Sequence, residues 1–226
     1  MINIQNVTKQ FKTGRETFCA LNDISLNIAD AEFVAVTGRS GSGKSTLLNI
    51  IGTLDRATDG KVIIDGCDVT TLSPRKMAHF RNAQMGFIFQ SFYLEPGYTV
   101  YDNVELPLII GGSYSRAHNR PLVEEALKLV GLSDKAKNKA NTLSGGEQQR
   151  VAIARAIINN PKYLFADEPC GNLDTANSRN VMELLHKLHC DGHTIIMVTH
   201  DEEDAKQADR IVTLLDGRIK SDEKRA

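Results

Sequence analysis

The sequence predicts an α/β fold: a mixed sheet, an antiparallel β subdomain at its start and a helical subdomain inserted into it. Three observations predict this. The buried-strand pattern Phe33-Val34-Ala35-Val36-Thr37 leads into Gly38-Arg39-Ser40-Gly41-Ser42-Gly43-Lys44-Ser45-Thr46 and then into Leu47-Leu48-Asn49-Ile50-Ile51, apolar at helical spacing as far as Leu54. Residues 1–32 alternate like strands, and residues 91–160 turn helical in texture. Two later apolar runs end on charged or polar residues, as central strands do where an open sheet binds a ligand.

Taken in order, Ile2, Ile4 and Val7 alternate, and Ile24-Ser25-Leu26-Asn27-Ile28 closes a second run begun at Phe18-Cys19-Ala20-Leu21. Between them Phe11-Lys12-Thr13-Gly14 breaks the pattern. By position alone Phe11 is core; the alternative is a ring that stacks on a base. The strand, glycine loop, Lys-Ser pair and helix that follow spell a phosphate-binding P-loop. Bare glycine backbone lets N–H groups wrap phosphates, and the helix start adds orphan donors and about half a positive charge. Lys44 places a compact charge on the β- and γ-phosphates, and the Ser45 hydroxyl suits Mg²⁺, a hard ion with oxygen ligands. With each of the four fixed positions given a frequency of about 7%, chance supplies about 0.005 such matches in a chain this long. Lys44 is expected to be exposed when the loop is empty.

Beyond the loop, Lys61-Val62-Ile63-Ile64-Asp65-Gly66 reads as a strand ending in an Asp-Gly turn, and Ser73-Pro74-Arg75-Lys76 as a helix start. Gly86-Phe87-Ile88-Phe89-Gln90 is a short buried strand ending on Gln90. Pro121 opens an amphipathic helix over residues 122–130, closed by Gly131. Leu143-Ser144-Gly145-Gly146-Glu147-Gln148-Gln149-Arg150 leads a helix through Ile158. Ser144 and Glu147 make a capping box there. Two first-turn glycines, at about 1 kcal/mol each in a helix interior, are left over. They make sense if a ligand approaches bare backbone at a positive terminus, a second anion site apart from the P-loop. Lys162-Tyr163-Leu164-Phe165-Ala166-Asp167-Glu168 is a strand ending on two carboxylates: Asp167 to hold Mg²⁺ through its water shell, Glu168 to polarise an attacking water. Thr194-Ile195-Ile196-Met197-Val198-Thr199-His200 repeats the geometry and puts His200 in line for a γ-phosphate. His118, His186, His189 and His193 read as surface. Ile211 to Ile219 is a strand with an Asp-Gly turn, and the charged tail from Lys220 to Ala226 reads as frayed.

Bulk composition excludes some roles. A net charge of −1, from 27 basic and 28 acidic residues, gives no electrostatic ground for a nucleic-acid partner. Cys19, Cys67, Cys170 and Cys190 are scattered, as reduced cytosolic thiols are. The N-terminus is not a signal peptide, and no apolar run approaches the ~18 residues of a spanning helix. Any membrane span is expected from another chain.

With these pieces in order, the sequence resembles the ATP-binding subunit of ABC transporters over essentially its whole length. Residues 38–46 look like its Walker A, Gln90 its Q-loop, residues 143–148 its signature and residues 163–167 its Walker B. Glu168 matches the catalytic glutamate, Asn172-Leu173-Asp174 the D-loop and His200 the switch histidine. Phe11 falls where the family places the aromatic that stacks on adenine, which moves its reading from core to stacking. The resemblance implies the ABC ATPase fold as one domain over 1–226: roughly 1–90 plus 161–220 as core with β subdomain, roughly 91–160 as helical signature subdomain. It implies a Mg²⁺-dependent ATPase that dimerises head to tail, each ATP lying between Walker A of one copy and Ser144, Gly145, Gly146 and Glu147 of the other. Gln90 would join Ser45 and Asp167 at the metal, and Asp174 would lie near the nucleotide. The implied partners are an integral membrane permease and a second copy, the implied place the inner face of the cell membrane.

Ile51-Gly52-Thr53-Leu54-Asp55, Phe89-Gln90-Ser91-Phe92 and Glu168-Pro169-Cys170-Gly171-Asn172-Leu173-Asp174 look most like the LolD/MacB branch, which serves lipoprotein release, macrolide export and antimicrobial-peptide resistance. The implied task is therefore to power an exporter or extractor; the alternative is an FtsE-like ATPase that signals to a division partner without transport. Two departures stand out. Cys170 replaces a small hydroxyl residue, and Glu95 and Tyr98 stand where leucines are commoner, in a segment that should border the permease groove.

Overall fold

The computed structural model describes residues 1–14 and 16–225. Its elements in chain order are β1 (Ile2–Thr13), β2 (Glu16–Ile28), β3 (Phe33–Gly38), α1 (Lys44–Ile51), β4 (Asp59–Ile64), β5 (Cys67–Asp68), α2 (Pro74–Gln84), β6 (Met85–Phe89), α3 (Val100–Ile110), α4 (Arg116–Leu129), α5 (Gly145–Ile157), β7 (Tyr163–Asp167), α6 (Thr175–Cys190), β8 (Thr194–Val198), α7 (Glu202–Ala205), β9 (Arg210–Leu215) and β10 (Arg218–Lys224). They fall into two compact units, Met1–Ala78 with Thr194–Ala226, and His79–His193.

The first unit holds the antiparallel sheet β2-β1-β4-β5 and the strand run β10-β9-β3-β8. In the latter β3 lies parallel to both β8 and β9, while β10 returns antiparallel to β9, so the sheet is mixed as predicted. Phe33, Val34, Ala35, Ile195, Ile196 and Met197 are fully buried there. Such runs carry no polar alternation because both faces of a parallel strand are covered. In β1 the register slips between Ile4 and Val7, with Asn6 at φ 50°. That bulge returns Val7 to the buried side with Ile2 and Ile4, where strict alternation would have turned it to solvent. Both Asp-Gly turns form: Asp65 and Gly66, like Asp216 and Gly217, have positive φ at both positions, which a type I′ hairpin demands. The tail is not frayed. It forms β10, held by Arg210, which donates to both carboxylate oxygens of Asp222 and, at 3.2 Å, to Glu32. The guanidinium holds the Asp222 carboxyl below the usual carboxylate range. Ala226 lies outside the described residues.

In the second unit β6 and β7 pair in parallel, Phe87 opposite Phe165 with their rings stacked at 5.3 Å. A Cβ on Gly86 would stand 2.2 Å from the Ala156 carbonyl, so glycine lets α5 lie directly on the strand. α4 starts earlier than the sequence suggested. Ser115 caps it and Pro121 sits inside, because the cap fixes the first turn five residues before the proline. Gly131 does close it: with φ +70°, it donates to Lys128 O and Leu132 donates to Leu127 O, the two bonds of a Schellman turn. Buried Glu105 of α3 accepts from buried Asn119 of α4 at 3.1 Å. Among the described residues no helix is long and apolar enough to cross a membrane.

Candidate nucleotide site

The first unit carries the glycine loop. β3 and β8 are in register, Val36 opposite Val198, so the loop at Gly38 and His200 leave the same strand edge. The Thr199 N–H to Val36 carbonyl bond, 3.2 Å, holds that exit, and His200 is exposed. α1 begins at Lys44 with Gly43 as N-cap, no side chain capping it and no acidic residue in its first turn, so its positive end stays uncompensated. Gly38, at φ +143°, and Gly43, at φ +100°, are needed for a reason beyond ligand approach: a Cβ would meet the Leu214 carbonyl at 2.3 Å or the Ala20 carbonyl at 2.5 Å. Gly41 has open space around it. The Ser42 hydroxyl is buried with no hydrogen-bond partner. Ser40 and Ser45 are exposed and Thr46 is half-buried. Lys44 departs from expectation. It is 9% exposed, and its ammonium donates to Gly38 O at 2.9 Å and Arg39 O at 3.0 Å. Phe11 is 40% exposed on β1, so it is not core.

The second unit carries the carboxylates. Phe89 lies opposite Asp167, so Gln90 and Glu168 also leave one edge together. Glu168 takes φ 50°, a left-handed conformation rare for a residue with a side chain and concentrated at functional sites. Gln90 Nε2 donates to Asn172 Oδ1 at 3.2 Å, and Asn172 Nδ2 donates back to Gln90 O at 3.0 Å. That leaves the Gln90 amide oxygen as the end open to a cation.

The helix α5 opens with the predicted capping box. Ser144 Oγ accepts from the Glu147 N–H, and Glu147 Oε2 accepts from the Ser144 N–H at 2.9 Å. These bonds hold the Glu147 carboxyl below its ordinary range. The N–H groups of Gly145 and Gly146 have no intrahelical acceptor. The two glycines differ. Gly145 is exposed with nothing nearer than 3.8 Å to an added Cβ, whereas at Gly146 a Cβ would stand 2.0 Å from Asn177 Oδ1. Asn177 in turn donates to Asp174, the N-cap of α6, at 2.8 Å and accepts from Arg150 at 3.4 Å. The cap bonds, led by the Asn177 N–H, hold the Asp174 carboxyl low. Two further α5 side chains carry weight that sequence reasoning missed. Gln149, fully buried, donates to Pro169 O at 2.6 Å, next to Glu168. Arg155 donates to the carbonyls of Phe92 and Tyr93, residues at φ 57° and 48°, two and three places after Gln90. Burial pushes the Arg155 guanidinium down. One helix thus ties the signature to the segments bearing Gln90, Glu168 and Asp174. The signal was an Arg and a Gln on the inward face of a helix, which periodicity alone cannot assign to partners.

The model of the ABC transporter family matches residues 21–171. The chain belongs to that family. An uncharacterised ABC transporter ATP-binding protein of Bacillus subtilis, YvrO, is 46% identical over 99% of this chain and 97% of its own. The macrolide export ATP-binding/permease protein MacB of Neisseria meningitidis is 46% identical over 98% of this chain, which spans about a third of MacB (34%). The cassette MJ0796 of Methanocaldococcus jannaschii, solved as a post-hydrolysis dimer with ADP and Pi, superposes with a TM-score of 0.93 at 45% identity, covering 100% of both chains. As an ABC cassette the chain is a nucleotide-binding ATPase. Of the four histidines read as surface, only His118 is exposed; His186, His189 and His193 are half-buried, the last with Nδ1 2.6 Å from the Pro161 carbonyl.

The Gly146 contact makes a local prediction. Gly146→Ala should lose about 1–3 kcal/mol by overpacking, because even the Asn177 Cβ lies 2.9 Å from the new methyl. Gly145→Ala should cost under about 0.5 kcal/mol, since exposed helix positions favour alanine. Thermal melts of the two variants check the contrast.

Proposed function

We propose that the chain powers a membrane exporter or extractor, of lipoproteins, antimicrobial peptides or drugs, by ATP-driven head-to-tail dimerisation. One observation carries the reading: a single chain has two helix starts opened by glycine, the P-loop end of α1 and the exposed end of α5 at Gly145, where Glu147 is engaged by the Ser144 cap. A cassette that binds one nucleotide per P-loop has no use for the second unless another copy brings its own nucleotide to it. The dimer of the MJ0796 cassette with ADP and Pi accords with this.

In the proposed reaction the P-loop N–H groups, Ser42 and Lys44 bind the phosphates, Phe11 stacks on adenine, and His200 contacts the γ-phosphate. Glu168 takes the proton of the attacking water and Gln90 orients that water. Ser144, Gly145, Gly146 and Glu147 of the second copy would close over the γ-phosphate, with Asp174 beside them. Mg²⁺ would be held by Ser45, Gln90 and Asp167. Their donors are all oxygen, which suits a hard ion that keeps waters and shares phosphate oxygens. When bound, the ion neutralises charge on the β- and γ-phosphates. Hydrolysis then removes the group bridging the two copies.

The helical segment of roughly residues 91–160 is the proposed relay to a permease. Exposed Glu95 and Tyr98 lie in it, with the Glu95 backbone pinned by Asn103 at 2.8 and 3.1 Å. MacB, which joins ATP-binding and permease parts in one protein, supports such a partner, and with it a place on the cytoplasmic face of the membrane. The test is an affinity pull-down from detergent-solubilised native membranes. A stoichiometric multi-span protein is expected; recovery of the ATPase alone across several mild detergents would overturn the transporter assembly. A partner whose loss yields unseparated cells with intact drug and peptide resistance would favour division signalling instead.

A further inference from the structure

The motif Ile51-Gly52-Thr53-Leu54-Asp55 has no place in the reaction above, yet the fold gives it one. α1 stops at Ile51 with Gly52 as C-cap, three residues short of the apolar run that ends at Leu54. Thr53 takes φ 58°, its N–H donating to Ile50 O at 3.1 Å, and the Leu54 N–H donates to Asn49 O at 2.8 Å. These are the two bonds of a Schellman turn. The Asp55 N–H donates to the same Asn49 carbonyl at 3.1 Å. The end of the phosphate-binding helix therefore fixes where Asp55 stands. Its carboxylate meets Lys9 Nζ at 2.7 Å, and Lys9 also donates to Arg56 O at 2.8 Å. The Lys9 side chain is 12% exposed. An ammonium has three donors. With two directed at Asp55 and Arg56, the charge lies 4.8 Å from the centroid of the Phe11 ring, over its face.

We propose that Lys9 and Asp55 are positioning residues for base recognition: the Asp55–Lys9 pair, anchored to the end of α1, holds the Phe11 ring by one face and sets the rest of it to receive a purine. The inference rests on the reading of Phe11 as the stacking aromatic. A ring on an exposed ribbon would otherwise rotate freely and lose that freedom on binding. A cation–π contact strengthens as the cation is desolvated, and an ammonium already pinned by a carboxylate and a carbonyl holds the ring before ligand arrives. One helix then addresses both ends of the nucleotide. Its first residue, Lys44, serves the phosphates, and its terminal turn serves the base through Asp55, Lys9 and Phe11.

The test compares Kd for ADP with Kd for pyrophosphate on the full chain, two probes that share phosphates and differ by the nucleoside. Neither is hydrolysed by the γ-phosphate chemistry. Lys9→Met and Asp55→Asn should weaken ADP about three- to ten-fold and leave pyrophosphate within about two-fold. Lys9→Arg, which keeps both the ion pair and the cation over the ring, should restore ADP binding. Phe11→Ala should weaken ADP about ten-fold or more, and adding Lys9→Met to it should change nothing further. Thermal melts confirm that each variant is folded. Equal weakening of both probes by Lys9→Met, or of neither, overturns the proposal while the stacking role of Phe11 stands on its own arm. ADP binding unmoved by Phe11→Ala overturns both.

Discussion

Glu168→Gln should bind ATP, accumulate as a closed dimer and turn over at least about a hundred-fold more slowly than the parent, the usual loss when a positioned base is removed. The geometry makes this a clean change. Glu168 follows β7 at φ 50°, and its carbonyl accepts the Gly171 N–H at 3.1 Å. Both features belong to the backbone, and glutamine reproduces the side chain's shape without its basicity. The backbone conformation should therefore be kept while the proton acceptor is lost. ATP would then remain as a component of the interface, holding the dimer by mass action. Size-exclusion chromatography with ATP and a phosphate-release assay read the two effects together. Turnover near the parent rate would remove Glu168 from the role of base.

Lys44→Ala should lose ATP affinity by about ten- to a hundred-fold, since a charged hydrogen bond contributes about 1.5–3 kcal/mol and each 1.4 kcal/mol is tenfold. Its effect on stability is less obvious than exposure alone would have made it. The ammonium is buried and donates to the carbonyls of Gly38 and Arg39. A phosphate would offer the ammonium an anionic acceptor in place of those neutral carbonyls. In the alanine variant the carbonyls turn to water, which is at hand because Arg39 is exposed. The melting temperature should fall by no more than a few degrees, at about 2–4 °C per kcal/mol for a chain of this size. Calorimetric titration with ATP and a thermal melt check the pair; a variant that is unfolded at 25 °C would show that the ammonium is chiefly a structural brace.

Local rules carried most of the site. The P-loop, the capping box at Ser144 and Glu147, and the turns at Asp65-Gly66 and Asp216-Gly217 were legible because each is fixed by a few adjacent residues with one favoured geometry. What sequence could not supply was partnership across distance. The tail looks disordered until Arg210 is seen to grip Asp222. Pro121 looks like a helix start until Ser115 is seen to cap an earlier one. Gly146 reads as one more glycine of a helix start, and the packing reason for it comes only with Asn177, whose side chain fills the space a Cβ would need. Gln149 and Arg155 are two residues of an amphipathic helix by pattern, and become couplings only once Pro169, Phe92 and Tyr93 arrive beside them.

The contact between Gly146 and Asn177 also sets how this surface can vary. The space is occupied by a side chain that caps the D-loop helix through Asp174 and meets Arg150, so neither position can drift alone. A larger residue at 146 becomes admissible only after 177 has been cut back, and cutting back 177 first undoes the cap. The two sites form one heritable unit, and sequence change there must pass through a weakened intermediate or not pass at all.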